Sequence, residues 1–286
     1  MALRFVAVHG VGVIDPATPV IRADDAAFTR GDGCFEGLRV RTGADGTSSI
    51  DKLEKHLARM ANSADALELA FDVGAWHEFV LDAIAQWHEP GEWGLKLVLG
   101  RGIGAGAAPT QLLMLADIPA DYPRQRREGL RVVSLSRGTT AEAFADAPWL
   151  LGGVKTLSYA VNMAAQREAV RRGYDDAIFV STEGTVLEST VSSVVWSTGR
   201  ILHTTPTGTS GILPGTTQEL LFERASDAGW TCEVTPAALD DLHAADVLWL
   251  IGSVRGPVDV VQLDDAKRER RPEVDAEIRT LAGFAS

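Results

Sequence analysis

Cysteine is nearly absent: Cys34 and Cys232 are the only two in 286 residues, they lie far apart, and neither has metal-site spacing. A chain this long buries enough apolar area to fold without covalent staples, so a reducing compartment, the cytoplasm, is the expected location. Basic charge is short as well. Lys and Arg number 27 against 39 Asp and Glu, a net −12, and such a chain is repelled by phosphate backbones and anionic lipid surfaces. Nucleic acid is not an expected partner. No run of about 18 apolar residues occurs, and Met1 to His9 lacks the basic region and apolar run of a secretory signal. Neither a membrane span nor a signal is expected. No long repeat period is found, which removes solenoids and propellers. Gly-x-Ser-x-Gly is missing, and the six histidines are scattered, so neither a nucleophile elbow nor a metal site is expected.

What is present reads as a mixed α/β chain with more hairpins than βαβ repeats. Strands are expected at the N-terminus, at Phe35 to Val40, Ser48 to Ile50, Trp93 to Gly100 and Gln111 to Ile118. Helices are expected over Leu53 to Leu69 and Ala75 to Trp87, where apolar residues recur at helical spacing. The glycines between Arg101 and Ala108 are followed by a strand, not a helix, so they do not make a dinucleotide-binding loop. Pro119 to Glu128 turns polar and carries two prolines, which suggests a linker over 119–128 between a smaller domain, 1–118, and a larger one, 129–286. In the second half, Thr156 to Arg172 has an apolar face and ends at Gly173, as a helix should. Strands are expected at Ala177 to Val180, Val186 to Glu188 and Val194 to Trp196. Thr216 and Glu219 have capping-box spacing, and the charge run Asp264 to Arg271 reads as a solvated loop.

Three features carry chemistry. Lys155 sits between a glycine-lined apolar approach and a helix start, where desolvation makes an amine nucleophilic; a solvent-facing lysine is the plainer alternative. Glu188 lies on a strand among Val186, Leu187, Val194 and Val195. A carboxylate buried there needs a positive partner, and a protonated pyridine nitrogen is one. The loop Gly211 to Thr217 opens a helix, where free N–H groups and hydroxyls favour a phosphate. A lysine, an acid and a phosphate cradle are the parts that pyridoxal phosphate requires.

Six blocks in order carry a resemblance: Arg30-Gly-Asp-Gly-Cys-Phe-Glu-Gly-Leu-Arg39, His56-Leu-Ala-Arg59-Met-Ala-Asn-Ser63, Lys155-Thr-Leu-Ser-Tyr159, Glu183-Gly-Thr-Val-Leu-Glu188-Ser-Thr, Gly215-Thr-Thr217 and Gly252-Ser253. The chain resembles the class IV (fold type IV) pyridoxal-phosphate aminotransferases, a group that includes D-amino-acid transaminases, aminodeoxychorismate lyases and branched-chain aminotransferases. The resemblance implies a two-domain α/β (α+β) fold with the cofactor between the domains, and a homodimer. It makes Lys155 the Schiff-base lysine and proton carrier, and Glu188 the partner of the pyridine nitrogen. Arg59, Thr216, Thr217 and Ser253 become phosphate ligands, and Tyr159 a partner of the phenolic oxygen. Phe35 would line the substrate, and one of Arg39, Arg101 and Arg255 would take its carboxylate, with Arg39 preferred because it follows Phe35 and Gly37 on one strand.

The implied activity is amino transfer from an amino acid, of the D series with relaxed specificity, to a 2-oxo acid. The alternatives are a 4-amino-4-deoxychorismate lyase releasing pyruvate and a branched-chain L-amino-acid aminotransferase. Departures from the family pattern are Gly37 where lyases carry threonine, the missing Arg-x-His pair of D-amino-acid transaminases, Ser193 in place of asparagine, and Gln218 where arginine is common.

Overall fold

In a computed structural model, residues 2–104 and 106–284 are described. They form two compact units: Met1–Ala120 with Val154–Ser158, and Asp121–Gly153 with Tyr159–Ser286. No helix among the described residues is long and apolar enough to cross a membrane.

The first unit is built from β1 (Leu3–Val8), β2 (Gly12–Ile14), α1 (Ala26–Arg30), β3 (Gly33–Thr42), β4 (Ser48–Ile50), α2 (Leu53–Ala66), α3 (Val73–Ile84), β5 (Gly91–Gly100) and β6 (Thr110–Asp117). Its six strands form an antiparallel sheet in the order β2-β1-β6-β5-β3-β4. Side chains alternate across a strand. On β3 this sends Leu38 and Val40 into a core with Leu57, Met60, Trp76 and Leu97, while Phe35, Gly37 and Arg39 fall on the opposite face. Leu53, Leu57, Met60 and Ala64 form the buried stripe of α2. The Asp72 side chain caps α3 by accepting from the Ala75 N–H at 2.9 Å.

Strand β4 covers only the Val40–Thr42 end of β3, leaving the Gly33 end for residues 154–158. Thr156 bridges Cys34. The Phe35 N–H donates to the Lys155 carbonyl at 3.0 Å, and the Leu157 N–H to the Gly33 carbonyl at 2.8 Å. A Cβ at Gly33 would collide with the Leu99 carbonyl oxygen and the Leu157 side chain. Glycine is required for that close approach.

The second unit contains α4 (Tyr122–Glu128), β7 (Leu130–Ser136), α5 (Ala160–Arg171), β8 (Asp176–Val180), β9 (Val186–Ser189), β10 (Ser193–Thr198), β11 (Ile201–Thr204), α6 (Thr216–Asp227), β12 (Thr231–Val234), α7 (Leu239–Ala244), β13 (Val247–Gly252), β14 (Gly256–Leu263), β15 (Ala266–Lys267) and α8 (Pro272–Leu281). The strands order as β12-β11-β10-β13-β14-β7-β8-β9, with β15 on β14. Pairing is parallel at β11·β12, β14·β7 and β7·β8. One core packs Leu130, Ile178, Val194 and Leu250 with Leu242 of α7; a second packs Val195, Trp249 and Ile251 with Leu221 of α6 and Ile278 of α8.

Five expectations are corrected in whole or in part. The expected linker 119–128 contains the Ala120/Asp121 boundary between the units, but Tyr122–Glu128 of it is the helix α4, with Pro123 in the first turn, where its missing N–H costs nothing. Lys155 does not belong with the C-terminal unit, since its segment pairs with β3. The same backbone bonds keep Thr156 to Tyr159 out of the helix, so α5 starts at Ala160. The capping box at Thr216 does not form: Gly215 is the cap residue and Thr216 the first helical one. The charge run is a hairpin, β14 to β15, in which Arg268 donates to the Leu242 and Ala245 carbonyls and Arg270 holds Asp259 at 2.6 Å.

Candidate active site

On the first unit, Lys155 is half-buried and its backbone N–H donates to Ser63 Oγ of α2 at 3.2 Å. Its Nζ stands 4.5 Å from the centre of the Phe35 ring. A second amine, Lys96 Nζ of β5, stands 4.4 Å from the same ring, because Lys96 is the register partner of Gly37. Burial lowers the Lys96 pKa. Lys96 has no ion-pair partner among the described residues.

Arg59 emerges one turn after His56 on α2. Its Nε and Nη2 make a fork to the two oxygens of Glu36, at 2.8 and 2.7 Å, and His56 Nδ1 lies 2.7 Å from Oε2. Glu36 and His56 are wholly buried. Burial alone would raise the Glu36 pKa, but the Arg59 charge and the Arg59 and His56 hydrogen bonds outweigh it and hold the carboxyl at about 2. Burial lowers the His56 pKa, so the imidazole is a neutral donor to a fixed carboxylate. The result is an arginine whose direction is set by a charge-assisted bidentate contact.

On the second unit, the Glu188 carboxylate accepts the Leu213 N–H at 3.2 Å, which ties the acid on β9 to the loop ahead of α6. That loop ends at Gly215, where a Cβ would collide with Ser193 Oγ. Gly215 supplies no capping side chain, and the first N–H groups of any helix have no intrahelical acceptor. The buried hydroxyls of Thr216 and Thr217 lie 3.1 and 3.3 Å from Ser253 Oγ, in the turn between β13 and β14. Three neutral hydroxyls beside the positive end of a twelve-residue helix suit a phosphate. Tyr159 takes the cap position of α5.

The three arginines considered for the substrate carboxylate are all engaged by protein acids. Arg39 is buried, with Nε 2.6 Å from Asp51 and Nη1 3.4 Å from Glu92. Arg101 holds Asp32 at 2.6 Å and the Leu67 carbonyl at 2.6 Å. Arg255 is buried against Asp176 at 2.8 Å. A carboxylate arriving at Arg39 would have to displace a buried ion pair, which weighs against that preference. Sequence reasoning gave no role to Glu36, His56, Ser63 or Lys96. Glu36 and His56 stand inside the quoted motifs, but their pairing spans 20 residues and leaves no local trace.

The model of the family described as amino-transferase class IV matches residues 33–263. The chain belongs to the class IV aminotransferases. It is similar to a bifunctional aminodeoxychorismate lyase and D-amino acid transaminase of Mycobacterium tuberculosis, 39% identical over 277 residues, 93% of this chain and 94% of that protein. Among solved structures it is similar to a hypothetical aminotransferase from Mycobacterium tuberculosis in its alpha-ketoglutarate- and PMP-bound form, with a TM-score of 0.91, 39% identity and 98% of each chain covered. A fold IV transaminase from Curtobacterium pusillum superposes at 0.89 with 36% identity, over 98% of this chain and 97% of that one. The mixed α/β units of this class IV aminotransferase are those of fold type IV, as its ordered motifs imply.

Proposed function

We propose that this aminotransferase, using pyridoxal phosphate, moves an amino group from a D-amino acid to a 2-oxo acid in two half-reactions. The observation that carries this reading is the likeness, at 39% identity over 93% of the chain, to a protein whose name includes D-amino acid transaminase. That name also includes aminodeoxychorismate lyase, so release of pyruvate from aminodeoxychorismate is the second reading.

When bound, the cofactor supplies an electron sink and a carrier for the amino group. The residues present fit it: an uncapped helix end with three hydroxyls matches a phosphate, and an acid steadied by a backbone N–H matches a pyridinium. Thr216, Thr217 and Ser253 would hold the phosphate, with Arg59 adding charge from its seat on Glu36. Glu188 would accept the proton-bearing ring nitrogen. Lys155 Nζ would carry the proton between the amino-acid Cα and the cofactor within each half-reaction, outward in the first and back to Cα in the second. With Arg39, Arg101 and Arg255 engaged elsewhere, Lys96 is the cation proposed for the substrate carboxylate, because it shares the Phe35 ring with Lys155.

The test is to incubate the pyridoxal form separately with D-alanine, L-leucine and aminodeoxychorismate while following its absorbance and pyruvate release. Conversion to the amine form by D-alanine is expected. Conversion by L-leucine alone supports a branched-chain aminotransferase, and pyruvate release from aminodeoxychorismate with no acceptor supports the lyase.

A further inference from the structure

Arg255 is 3% exposed, and the contacts of its guanidinium lead away from substrate recognition. One Nη2 donates to Asp176 Oδ2 at 2.8 Å and to Ser192 Oγ at 3.0 Å, while Nη1 reaches Gln125 Oε1 of α4 at 3.4 Å. Its Nε is buried with no hydrogen-bond partner among the described residues. The wholly buried Asp176 in turn accepts the Thr190 hydroxyl at 2.6 Å. Thr190 and Ser192 belong to the turn that follows Glu188, a turn closed by the Ser189 N–H on the Ser192 carbonyl at 2.9 Å. Arg255 itself belongs to the turn that contains Ser253. Behind it, Arg126 of α4 donates to the Arg255 and Val254 carbonyls at 2.8 and 2.7 Å. A Cβ on Gly252 would stand 3.1 Å from Ser192 Oγ, so the two turns touch.

Resting on the functional reading above, we infer that Arg255 is a positioning residue that locks the turn after Glu188 to the turn containing Ser253. It thereby fixes the spacing between the proposed pyridine-nitrogen site and the proposed phosphate site. One cofactor that occupies both sites would span only a limited distance, so the two sites need a defined spacing. Apolar packing tolerates sliding, whereas a buried ion pair with directed hydrogen bonds allows one arrangement. The desolvated pair and its orphaned Nε are costs of stability that this geometry sets against specificity.

The experiment compares two ligands on the apoprotein. Inorganic phosphate needs only the Ser253 end; pyridoxal phosphate needs both. Arg255→Lys keeps a cation for Asp176 but loses the fork to Ser192 and Gln125. It is expected to raise the pyridoxal phosphate Kd about tenfold, the loss of one charge-assisted hydrogen bond, and to leave the phosphate Kd unchanged. Ser192→Ala cuts only the link to the turn after Glu188 and is expected to give the same selective loss, about threefold. If the lysine variant does not fold, Ser192→Ala decides alone. Equal weakening of both ligands, or of neither, overturns the inference and leaves the functional reading intact. A wild-type apoprotein that binds phosphate but no pyridoxal phosphate contradicts the functional reading itself.

Discussion

Arg59 on its Glu36 seat and the hydroxyls around Ser253 are both proposed phosphate ligands, and they are built in opposite ways. The first region sets a full charge, Arg59, on a carboxylate sunk into the core face of a sheet, with a neutral histidine behind it. The second has no charge in its hydroxyl cluster; it relies on a helix N-terminus and three alcohols. Charge gives long reach but demands a counter-charge, and that counter-charge ties the site to the stability of the unit. Hydroxyls have short reach and little desolvation cost, so they can be altered without unfolding the unit. Mutations in the first region should therefore damage fold and function together, and mutations in the second should damage function alone.

The largest effect is expected from Glu36→Gln, which removes the wholly buried carboxylate that pairs the part-buried Arg59 and should cost about 3–5 kcal/mol of stability. Thermal and acid denaturation check it. Because the folded Glu36 pKa is lowered to about 2 from 4.5, its contribution is complete above the unfolded value and fades as pH falls from there toward 2. The variant should lose that part of the acid dependence. Thr217→Val is the counterpart in the second region. It should raise the Kd for pyridoxal phosphate about tenfold while the melting temperature stays within a few degrees, as followed by cofactor titration and calorimetry.

Effects of intermediate size are expected at the proposed substrate end. Lys96→Met is expected to raise KM for D-alanine several-fold and to spare (R)-1-phenylethylamine, which has no carboxylate. Arg39→Ala should slow both substrates alike, because it breaks the buried pair with Asp51. Steady-state kinetics on the two donors separate the alternatives.

The smallest effect is a control on α8, outside the Arg59 seat and the hydroxyl cluster. Burial, then the Asp259 charge, raises the Asp275 pKa to about 6, although its Oδ1 accepts the Trp249 indole N–H at 3.1 Å. Since the folded pKa lies above the unfolded value of 3.8, this group favours the fold when protonated and costs stability as pH rises through 4 to 6. Asp275→Asn should raise the melting temperature by a few degrees at pH 8 and hardly at all at pH 4. An equal gain at both pH values would show that the carboxylate is not penalised.

The chain's legibility followed the range of the interactions. Lys155, Glu188 and the Gly211 to Thr217 loop stand out as candidates because an ionisable residue in an apolar or glycine-rich context is locally conspicuous, and the order of the motifs around them points to the family that the comparison shows. Helix α4 was hidden by Pro123, which reads as a breaker until the helix is known to begin beside it. The seat of Arg59 on Glu36 and the lock of Arg255 on Asp176 join residues 23 and 79 positions apart. No spacing rule reports such pairs. The Thr216 box failed for a local reason: glycine at 215 takes the cap position, which leaves the threonine hydroxyl to Ser253.

The proposed function turns on Lys155, one of five lysines in the chain. Borohydride reduction of the pyridoxal form, followed by peptide mapping, should place the cofactor mass on the peptide containing Lys155, and Lys155→Ala should abolish turnover with the fold retained. Attachment to Lys96, the other amine at the Phe35 ring, or to any further lysine would contradict the account.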